Sequence, residues 1–168
     1  MLYLTSRMLP SIALMIPIYV VFAGLGLINT IVAPTIADIT VTLPFTIWIL
    51  KSYLQTIPQE LEDAARVDRC NRFQAVRHVV LPVAGPGLVA ASMFAFMSAW
   101  SEFLLSSTLT TPASAPITVA ISNLANDDTV QRTLISSGTI ISLIPPVVLA
   151  IVFQRVIVQG LVSGSVKG

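Results

Sequence analysis

Long apolar segments alternate with short polar ones along this chain, and the apolar segments have the length of membrane crossings. Residues 8–37 contain no charged side chain, and this stretch is longer than the about 20 apolar residues that one straight crossing needs. Gly24, Gly26 and the pair Asn29-Thr30 are turn residues within it, and they predict a break between two helices. The whole pattern predicts four transmembrane helices, at residues 8–27, 31–54, 83–107 and 134–158.

A polar stretch at residues 57–82 separates the second and third predicted spans, and it carries eight of the seventeen charged side chains. Thr56 and Gln59 fit a capping box that begins a first short helix. Asn71 is placed to cap a second short helix, which ends at Leu81-Pro82. Two interpretations stay open, namely a pair of ordered helices that face water and bind a partner, or a solvated loop of balanced charge.

Small residues recur at every fourth position of the third predicted span, at Gly87, Ala91, Ala95 and Ala99. Such a stripe lets a neighbouring helix approach closely, so it indicates packing rather than ligand binding. Gly160, followed by the apolar Leu161, is typical of a helix end. Residues 108–133 are polar and rich in turn residues, and they predict an external loop with a short helix near 117–124.

Two acidic residues lie near the ends of predicted spans. Asp38 is either a charge within the second span, which would make it a functional candidate, or part of a hydrated loop before it. Trp100 and Phe103 fit an interfacial aromatic belt. Glu102 beside them is either a solvated residue at the end of the span or, together with Trp100, part of a substrate path.

Composition agrees with an all-α integral membrane protein embedded in the lipid bilayer. The 168 residues are 55% hydrophobic and 10% charged, whereas soluble domains carry about 25% charged residues. The net charge of +1 gives no indication of nucleic-acid binding. A single cysteine excludes an internal disulfide and a cysteine-based zinc site. With one histidine, His78, and no glycine-rich phosphate loop carrying a lysine, the sequence does not predict an enzyme, a metal site or a nucleotide site of its own.

The distribution of lysine and arginine predicts the orientation of the chain in the membrane. With four spans, eight basic residues share the side of the polar stretch and the C-terminus, and Arg132 alone lies on the other side. The crowded side is cytoplasmic by the positive-inside rule. Its basic residues are Arg7, Lys51, Arg66, Arg69, Arg72, Arg77, Arg155 and Lys167.

The polar stretch resembles the signature loop of permease subunits in binding-protein-dependent ABC importers, a pattern of E-A-A, three residues, G, nine residues, I, one residue, L-P. Asp63-Ala64-Ala65 corresponds to E-A-A, Arg69 to the glycine, Val79 to the isoleucine and Leu81-Pro82 to L-P. Residues 100–103, with the sequence WSEF, and the tail at residues 154–168 resemble the carbohydrate-uptake branch, particularly the G-type permease subunits of maltose importers.

This resemblance implies a pore formed with a second permease subunit, an extracytoplasmic solute-binding protein that delivers a sugar, and partner ABC ATPase subunits. It also implies that ATP and magnesium are bound by the partner ATPase, with no cofactor held directly by this chain, and that the protein is a multi-pass component of the bacterial plasma (inner) membrane. The ATPase would drive alternating access through a coupling loop at residues 57–82. The implied coupling residues are Glu60, Glu62, Asp63, Ala64, Ala65, Arg69, Leu81 and Pro82.

Two departures from the family pattern lead to further expectations. If the loop needs a positive φ at Arg69, where the family has glycine, the side chain costs roughly 1 kcal/mol or more, and we expect weakened coupling. Family members also carry further spans before this point, so Met1 resembles an internal methionine. Three interpretations stay open, namely a fragment, a mis-started reading frame, or a truncated copy that inserts but does not transport. A secondary transporter is a rival interpretation, although it would carry paired intramembrane charges, for which Asp38 and Glu102 are the candidates.

The predicted orientation can be tested through Cys70, the single cysteine of the sequence. A membrane-impermeant maleimide should leave Cys70 unlabelled in intact cells and label it in inverted vesicles, because the polar stretch is predicted to be cytoplasmic. A Cys70→Ser variant provides the background control. Labelling in intact cells but not in inverted vesicles would contradict the topology.

Overall fold

The computed structural model describes residues 11–125 and 132–165, and for Ser11, Glu62 and residues 155–165 it describes the backbone without the side chain. The predictions about Arg7, the side chains of Glu62 and Arg155, and the last three residues of the tail lie outside the described part. The predicted all-α fold is confirmed. Its helices are α1 Ser11–Gly24, α2 Val32–Leu54, α3 Glu60–Val67, α4 Arg72–Ala75, a π-helical turn Val76–Val80, α5 Leu81–Val83, α6 Gly85–Trp100, α7 Leu104–Leu109, α8 Ile117–Ala125 and α9 Arg132–Ser165.

The chain forms two compact units. One contains the described residues up to Phe45 together with those of Ala95–Leu149. The other contains Thr46–Phe94 and the described residues from Ala150 onward. The predicted polar stretch lies in the second unit, which we call the coupling unit, and residues 100–103 lie in the first, which we call the core unit.

Two described helices, over Val32–Leu54 and Arg132–Gln154, are long and apolar enough to cross a bilayer. The segments Arg72–Val83 and Gly85–Trp100 add a third if they form one broken span, which bends by 73° at the break. Pro86, just inside α6, cannot donate an N–H back to the preceding turn, and proline is a usual cause of such bends. The 14 residues of α1 are fewer than one crossing needs, so the number of four crossings stays a prediction.

The predicted break between the first two helices is present, and it is a Schellman motif at the end of α1. The N–H of Leu27 donates to the Phe22 carbonyl at 2.9 Å, and the N–H of Gly26 donates to the Ala23 carbonyl at 3.1 Å. Gly26 has φ +67°, the left-handed conformation that this motif requires and that glycine adopts without steric cost. The apolar contact typical of the motif is also made, because Leu27 packs on the cluster that contains Phe22.

A second left-handed residue, Asn29 with φ +63°, ties this break to the segment after α7. Its N–H donates to the Leu109 carbonyl at 2.9 Å, and its side-chain oxygen accepts from the Thr111 hydroxyl and from Ser114 Oγ, the latter at 2.8 Å. Asparagine tolerates this conformation better than most residues. The loop therefore joins α1 and α2 to α7 by hydrogen bonds between positions about 80 residues apart.

The hydrophobic core of the core unit lies where α1, α2 and α7 meet. Its buried residues are Phe22, Ala33, Ala37, Leu105 and Leu109. Ala33 and Ala37 are one helical turn apart on α2, and their small side chains bring this helix close to α1 and α7. Each of these buried side chains is 7% exposed or less.

Three local predictions were wrong for physical reasons that the structure shows. The third predicted span is not one helix, because α6 ends at Trp100 and α7 begins at Leu104. Helix α9 continues through Gly160 to Ser165, since a helix in apolar surroundings satisfies its own backbone groups and can include a glycine. Thr56 does not cap α3, because its hydroxyl donates at 2.7 Å to the Tyr53 carbonyl at the end of α2.

The stripe of small residues on α6 packs only at its beginning. Gly87 and Ala91 are buried, whereas Ala99 is exposed. A Cβ added at Gly87 would lie 2.9 Å from the Cβ of Tyr53 and closer still to its ring, so the absent side chain is what lets the Tyr53 ring rest on the α6 backbone. The packing interpretation of the stripe holds for this helical turn of the coupling unit.

Candidate functional site

The coupling unit carries two short helices joined by a tight turn, as the sequence predicted for residues 57–82. Helix α3 ends in a Schellman motif in which the Cys70 N–H donates to the Ala65 carbonyl and the Arg69 N–H donates to the Arg66 carbonyl, both at 3.0 Å. Arg69 occupies the left-handed position of the motif with φ +58°. Arg69 is therefore strained where the family pattern has glycine, by roughly 1 kcal/mol or more.

The second helix of the pair begins with the predicted cap. Asn71 Oδ1 accepts from the Gln74 N–H at 2.8 Å, and Gln74 Oε1 accepts from the Asn71 N–H at 2.9 Å. This is a capping box, in which each side chain satisfies a backbone N–H that the helix start leaves free. The π-helical turn follows directly and precedes Pro82, which has no N–H to donate to it.

The two alanines of the signature motif lie in different surroundings. Ala65 is 3% exposed, and α3 packs here against α4 and the π-helical turn. Ala64 is exposed, as are Glu60 and Asp63. The small side chain of Ala65 therefore allows the two short helices to approach each other. The equally small side chain of Ala64 leaves little protrusion on the outer surface of α3.

Two apolar side chains on this surface were not singled out by sequence reasoning. Val67, the last residue of α3, is 81% exposed, and Phe73, the second residue of α4, is 72% exposed. The sequence feature that could have identified them is that they are apolar residues within a mostly charged stretch. Leu81 is less exposed, at 49%, as are several other apolar residues of the coupling unit. Exposed aromatic and apolar side chains amid polar ones are typical of a protein–protein contact surface.

The charges of this surface are largely left for solvent or a partner. Arg66 Nη1 lies 3.3 Å from Asp63 Oδ1, and both side chains are more than two-thirds exposed, so this pair contributes little to stability. A cavity of about 490 Å³ lies between the two short helices. It is lined by Arg66, Cys70, Arg72, Ala75, Val76 and Val80.

Residues 100–103 form a junction in the core unit that we call the WSEF junction. The Trp100 indole N–H donates to the Ser142 carbonyl on α9 at 3.1 Å. Both carboxylate oxygens of Glu102 are used at the start of α7, where they accept the Leu105 N–H at 2.8 Å and the Ser106 N–H at 2.9 Å. A carboxylate at a helix N-terminus also stabilises the helix dipole.

The WSEF junction explains the break in the third predicted span. In a continuous helix the N–H groups of Leu105 and Ser106 would pair with carbonyls four residues earlier. Here the Glu102 side chain takes their place, and its own backbone carbonyl accepts from Thr118 Oγ1 at 3.2 Å. The indole N–H of Trp100 and both carboxylate oxygens of Glu102 are thus engaged in hydrogen bonds within the core unit.

Asp38 lies within helix α2, so the interpretation that placed it in a hydrated loop was wrong. It directly follows the buried Ala37. Its Oδ1 atom is buried and has no hydrogen-bond partner among the residues that the structure describes. An acidic side chain of this kind in a transmembrane helix is a candidate for function.

The fold and these two sites define a helical integral membrane protein with a polar two-helix elbow between apolar helices. Residues 1–163 match the family described as binding-protein-dependent transport system inner membrane component, and the chain belongs to this family.

Several characterised transport proteins are similar to this chain over nearly all of its length. It is 39% identical to the trehalose transport system permease protein SugB of Mycobacterium tuberculosis, over 98% of this chain and 61% of SugB. It is 34% identical to the diacetylchitobiose uptake system permease protein DasC of Streptomyces coelicolor, over 99% of this chain and 60% of DasC. The trehalose/maltose transport system permease protein MalG of Thermococcus litoralis is 31% identical, over 96% and 59% respectively. The chain thus spans about three-fifths of the length of these relatives.

The structural interpretation of Glu102 gives a direct prediction. Replacing Glu102 by alanine leaves the N–H groups of Leu105 and Ser106 without acceptors, which costs about 1–3 kcal/mol. The amide hydrogens of α7 should therefore exchange with solvent about tenfold faster or more, as measured by hydrogen–deuterium exchange with mass spectrometry.

Ser101→Ala is the matched control, because the Ser101 hydroxyl donates to the carbonyls of Met97 and Ser98 in α6 and not to α7. This variant should leave exchange in α7 unchanged. Equal exchange rates in the Glu102→Ala variant and the unaltered chain would show that Glu102 does not cap α7.

Proposed function

We propose that this chain is a transmembrane permease subunit of an ATP-driven importer for a sugar or a related solute, and that residues 57–82 bind a partner ATPase. The observation that carries the proposal is the ordered, capped helix pair of the coupling unit, which sits at the family's signature motif and exposes Val67 and Phe73. A tether between membrane spans needs neither a capping box nor a Schellman motif, and exposed apolar residues are unfavourable in water unless a partner covers them.

The polar stretch supplies three kinds of contact in this proposal. Phe73 and Val67 insert into an apolar depression of the ATPase. Glu60, Glu62, Asp63 and the arginines provide charged groups at the rim, where complementary charge governs orientation more than affinity. Ala64 leaves room for a close approach, Ala65 keeps the two helices packed, and Leu81 and Pro82 connect the surface to α6.

The relatives support a proposal for the partners and the solute class. SugB, DasC and the Thermococcus MalG are permease proteins of transport systems for trehalose, diacetylchitobiose and trehalose/maltose. We propose a second permease subunit and an extracytoplasmic solute-binding protein as further partners, with the coupling unit and the C-terminus on the cytoplasmic side. ATP and magnesium would be bound by the ATPase, whose closure drives alternating access.

The candidate substrate path changes on structural grounds. The hydrogen-bonding groups of Trp100 and Glu102 are engaged inside the core unit. Asp38 keeps a buried carboxylate oxygen without a partner among the described residues. A sugar hydroxyl is a suitable donor to such an oxygen, so we propose Asp38 rather than Trp100 or Glu102 as the first residue to examine for solute contact.

Copurification tests the proposed ATPase contact. The tagged protein, purified from membranes in mild detergent, should bring an ABC ATPase with it, and Phe73→Ala should reduce the amount of ATPase about tenfold, since truncation of a central apolar contact costs 1–2 kcal/mol or more. Phe103→Ala is the matched control, because Phe103 is 42% exposed but belongs to the core unit. Absence of any ATPase, or equal loss with both variants, would count against the proposal.

The arginine at position 69 gives a further prediction about coupling. Arg69→Gly removes the backbone strain of roughly 1 kcal/mol at φ +58°. We expect slower amide exchange at the end of α3 and higher solute-stimulated ATP hydrolysis in the reconstituted complex.

Arg66→Gly makes the same chemical change inside α3, where glycine costs about 0.8–1.0 kcal/mol. It should accelerate exchange and should not raise hydrolysis. If Arg69→Gly leaves hydrolysis unchanged, the side chain at this position does not limit coupling.

A further inference from the structure

Helix α9 contains the adjacent prolines Pro145 and Pro146. A proline has no N–H to donate to the carbonyl four residues earlier. Pro146 therefore leaves the Ser142 carbonyl without its helical partner, and Pro145 does the same for Ile141. The Ser142 carbonyl is the group that accepts the Trp100 indole N–H, at 3.1 Å.

The donor is held in a fixed direction. Trp100 is the last residue of α6, and its ring stacks on Phe96 one turn earlier, with ring centroids 5.4 Å apart and planes inclined by 25°. An indole has a single N–H and no acceptor, so Trp100 can make this one hydrogen bond and no other. Its side chain is partly buried, which limits replacement of the bond by water.

The end of α6 is also held by hydrogen bonds of the segment that directly follows it. Glu102 caps α7 with its carboxylate, and its backbone carbonyl accepts from Thr118 on α8. The position of Trp100 is thus set by α6 and by the WSEF junction. The hydrogen bond from Trp100 to a distant part of the sequence is the one to the Ser142 carbonyl, in the turn of α9 where Pro146 has no N–H to donate.

This hydrogen bond has no equivalent substitute in an apolar environment. A carbonyl that a proline frees within a transmembrane helix must be satisfied by a neighbouring group, since lipid offers no donor. Removing the indole N–H would leave the Ser142 carbonyl unpaired, and α9 would lose its polar attachment to the end of α6.

We propose that Trp100 is a positioning residue that attaches α9 to the end of α6 through the carbonyl freed by Pro146, so that the two helices move as one body during transport. The role in transport rests on the proposed function. The attachment itself rests on the geometry of Trp100, Ser142 and Pro146.

Distance measurements between α6 and α9 test the attachment without any knowledge of the solute. Nitroxide labels are placed at Met97→Cys and Leu143→Cys, both exposed positions, in a Cys70→Ser background of the membrane-reconstituted protein. Trp100→Phe keeps an aromatic ring beside Phe96 and removes the N–H. It should broaden the distance distribution about twofold.

The prolines supply the matched controls. Pro146→Ala returns a helical N–H to the Ser142 carbonyl, which has two lone pairs and can keep the indole hydrogen bond as well, so this variant alone should leave the distribution narrow. Pro145→Ala affects the Ile141 carbonyl and should also leave it narrow. The double variant Trp100→Phe/Pro146→Ala has a paired Ser142 carbonyl but lacks the attachment, and it should be as broad as Trp100→Phe. An unchanged width in Trp100→Phe, or a narrow distribution in the double variant, would overturn the attachment.

The transport role is read from the ratio of solute uptake to ATP hydrolysis in the reconstituted complex, with radiolabelled trehalose and maltose as probes. Trp100→Phe should lower this ratio about tenfold, whereas a variant that merely reduces the amount of folded complex lowers uptake and hydrolysis together. A broadened distribution with an unchanged ratio would overturn the role in transport. Failure of the unaltered chain to bind an ATPase would instead count against the proposed function, while the distance measurements still decide whether the attachment exists.

Discussion

Satisfaction of backbone hydrogen bonds is the constraint on which the rest of this structure depends. In a chain that is 55% hydrophobic, groups left free by a helix end or a proline find little water, and an unpaired group in lipid costs several kcal/mol. The breaks of the chain are closed accordingly. In the core unit a Schellman motif ends α1, Glu102 caps α7, and Trp100 pairs with the carbonyl that Pro146 frees. The exposed turns of the polar stretch are closed by the same devices although water is available there, with a Schellman motif at the end of α3 and the Asn71 cap of α4.

The two Schellman motifs show how the same geometry can serve different purposes. Gly26 adopts φ +67° at no steric cost, and its motif closes the core unit. Arg69 adopts φ +58° in an exposed turn of the coupling unit, where it carries a cost. The motif itself tolerates both residues because its hydrogen bonds involve only the backbone. The two motifs differ in the free energy of the turn, which the arginine makes less favourable, and in the size of the side chain at the left-handed position.

Two adjacent residues of the signature motif differ in burial. Ala64 and Ala65 belong to one motif, yet Ala65 packs against the second short helix and Ala64 faces outward. For Trp100 and Glu102 the sequence leaves open a place at the end of a span or in a substrate path. In the structure their partners are Ser142, Leu105 and Ser106, so each links segments of the core unit by hydrogen bonds.

By itself the sequence determined the class of the protein, its all-α fold, the break near Gly26, the capping role of Asn71 and the polar elbow between apolar segments. These features depend on hydrophobic runs and on contacts within a few residues, which a linear pattern records. Only the tertiary structure decided the hydrogen-bond partners of Trp100 and Glu102, the burial of Ala65 and the burial of an Asp38 carboxylate oxygen without a partner among the described residues. Each of these depends on which distant segment lies opposite, as in the pairing of Trp100 with Ser142 across 42 positions, and local periodicity carries no information about that choice.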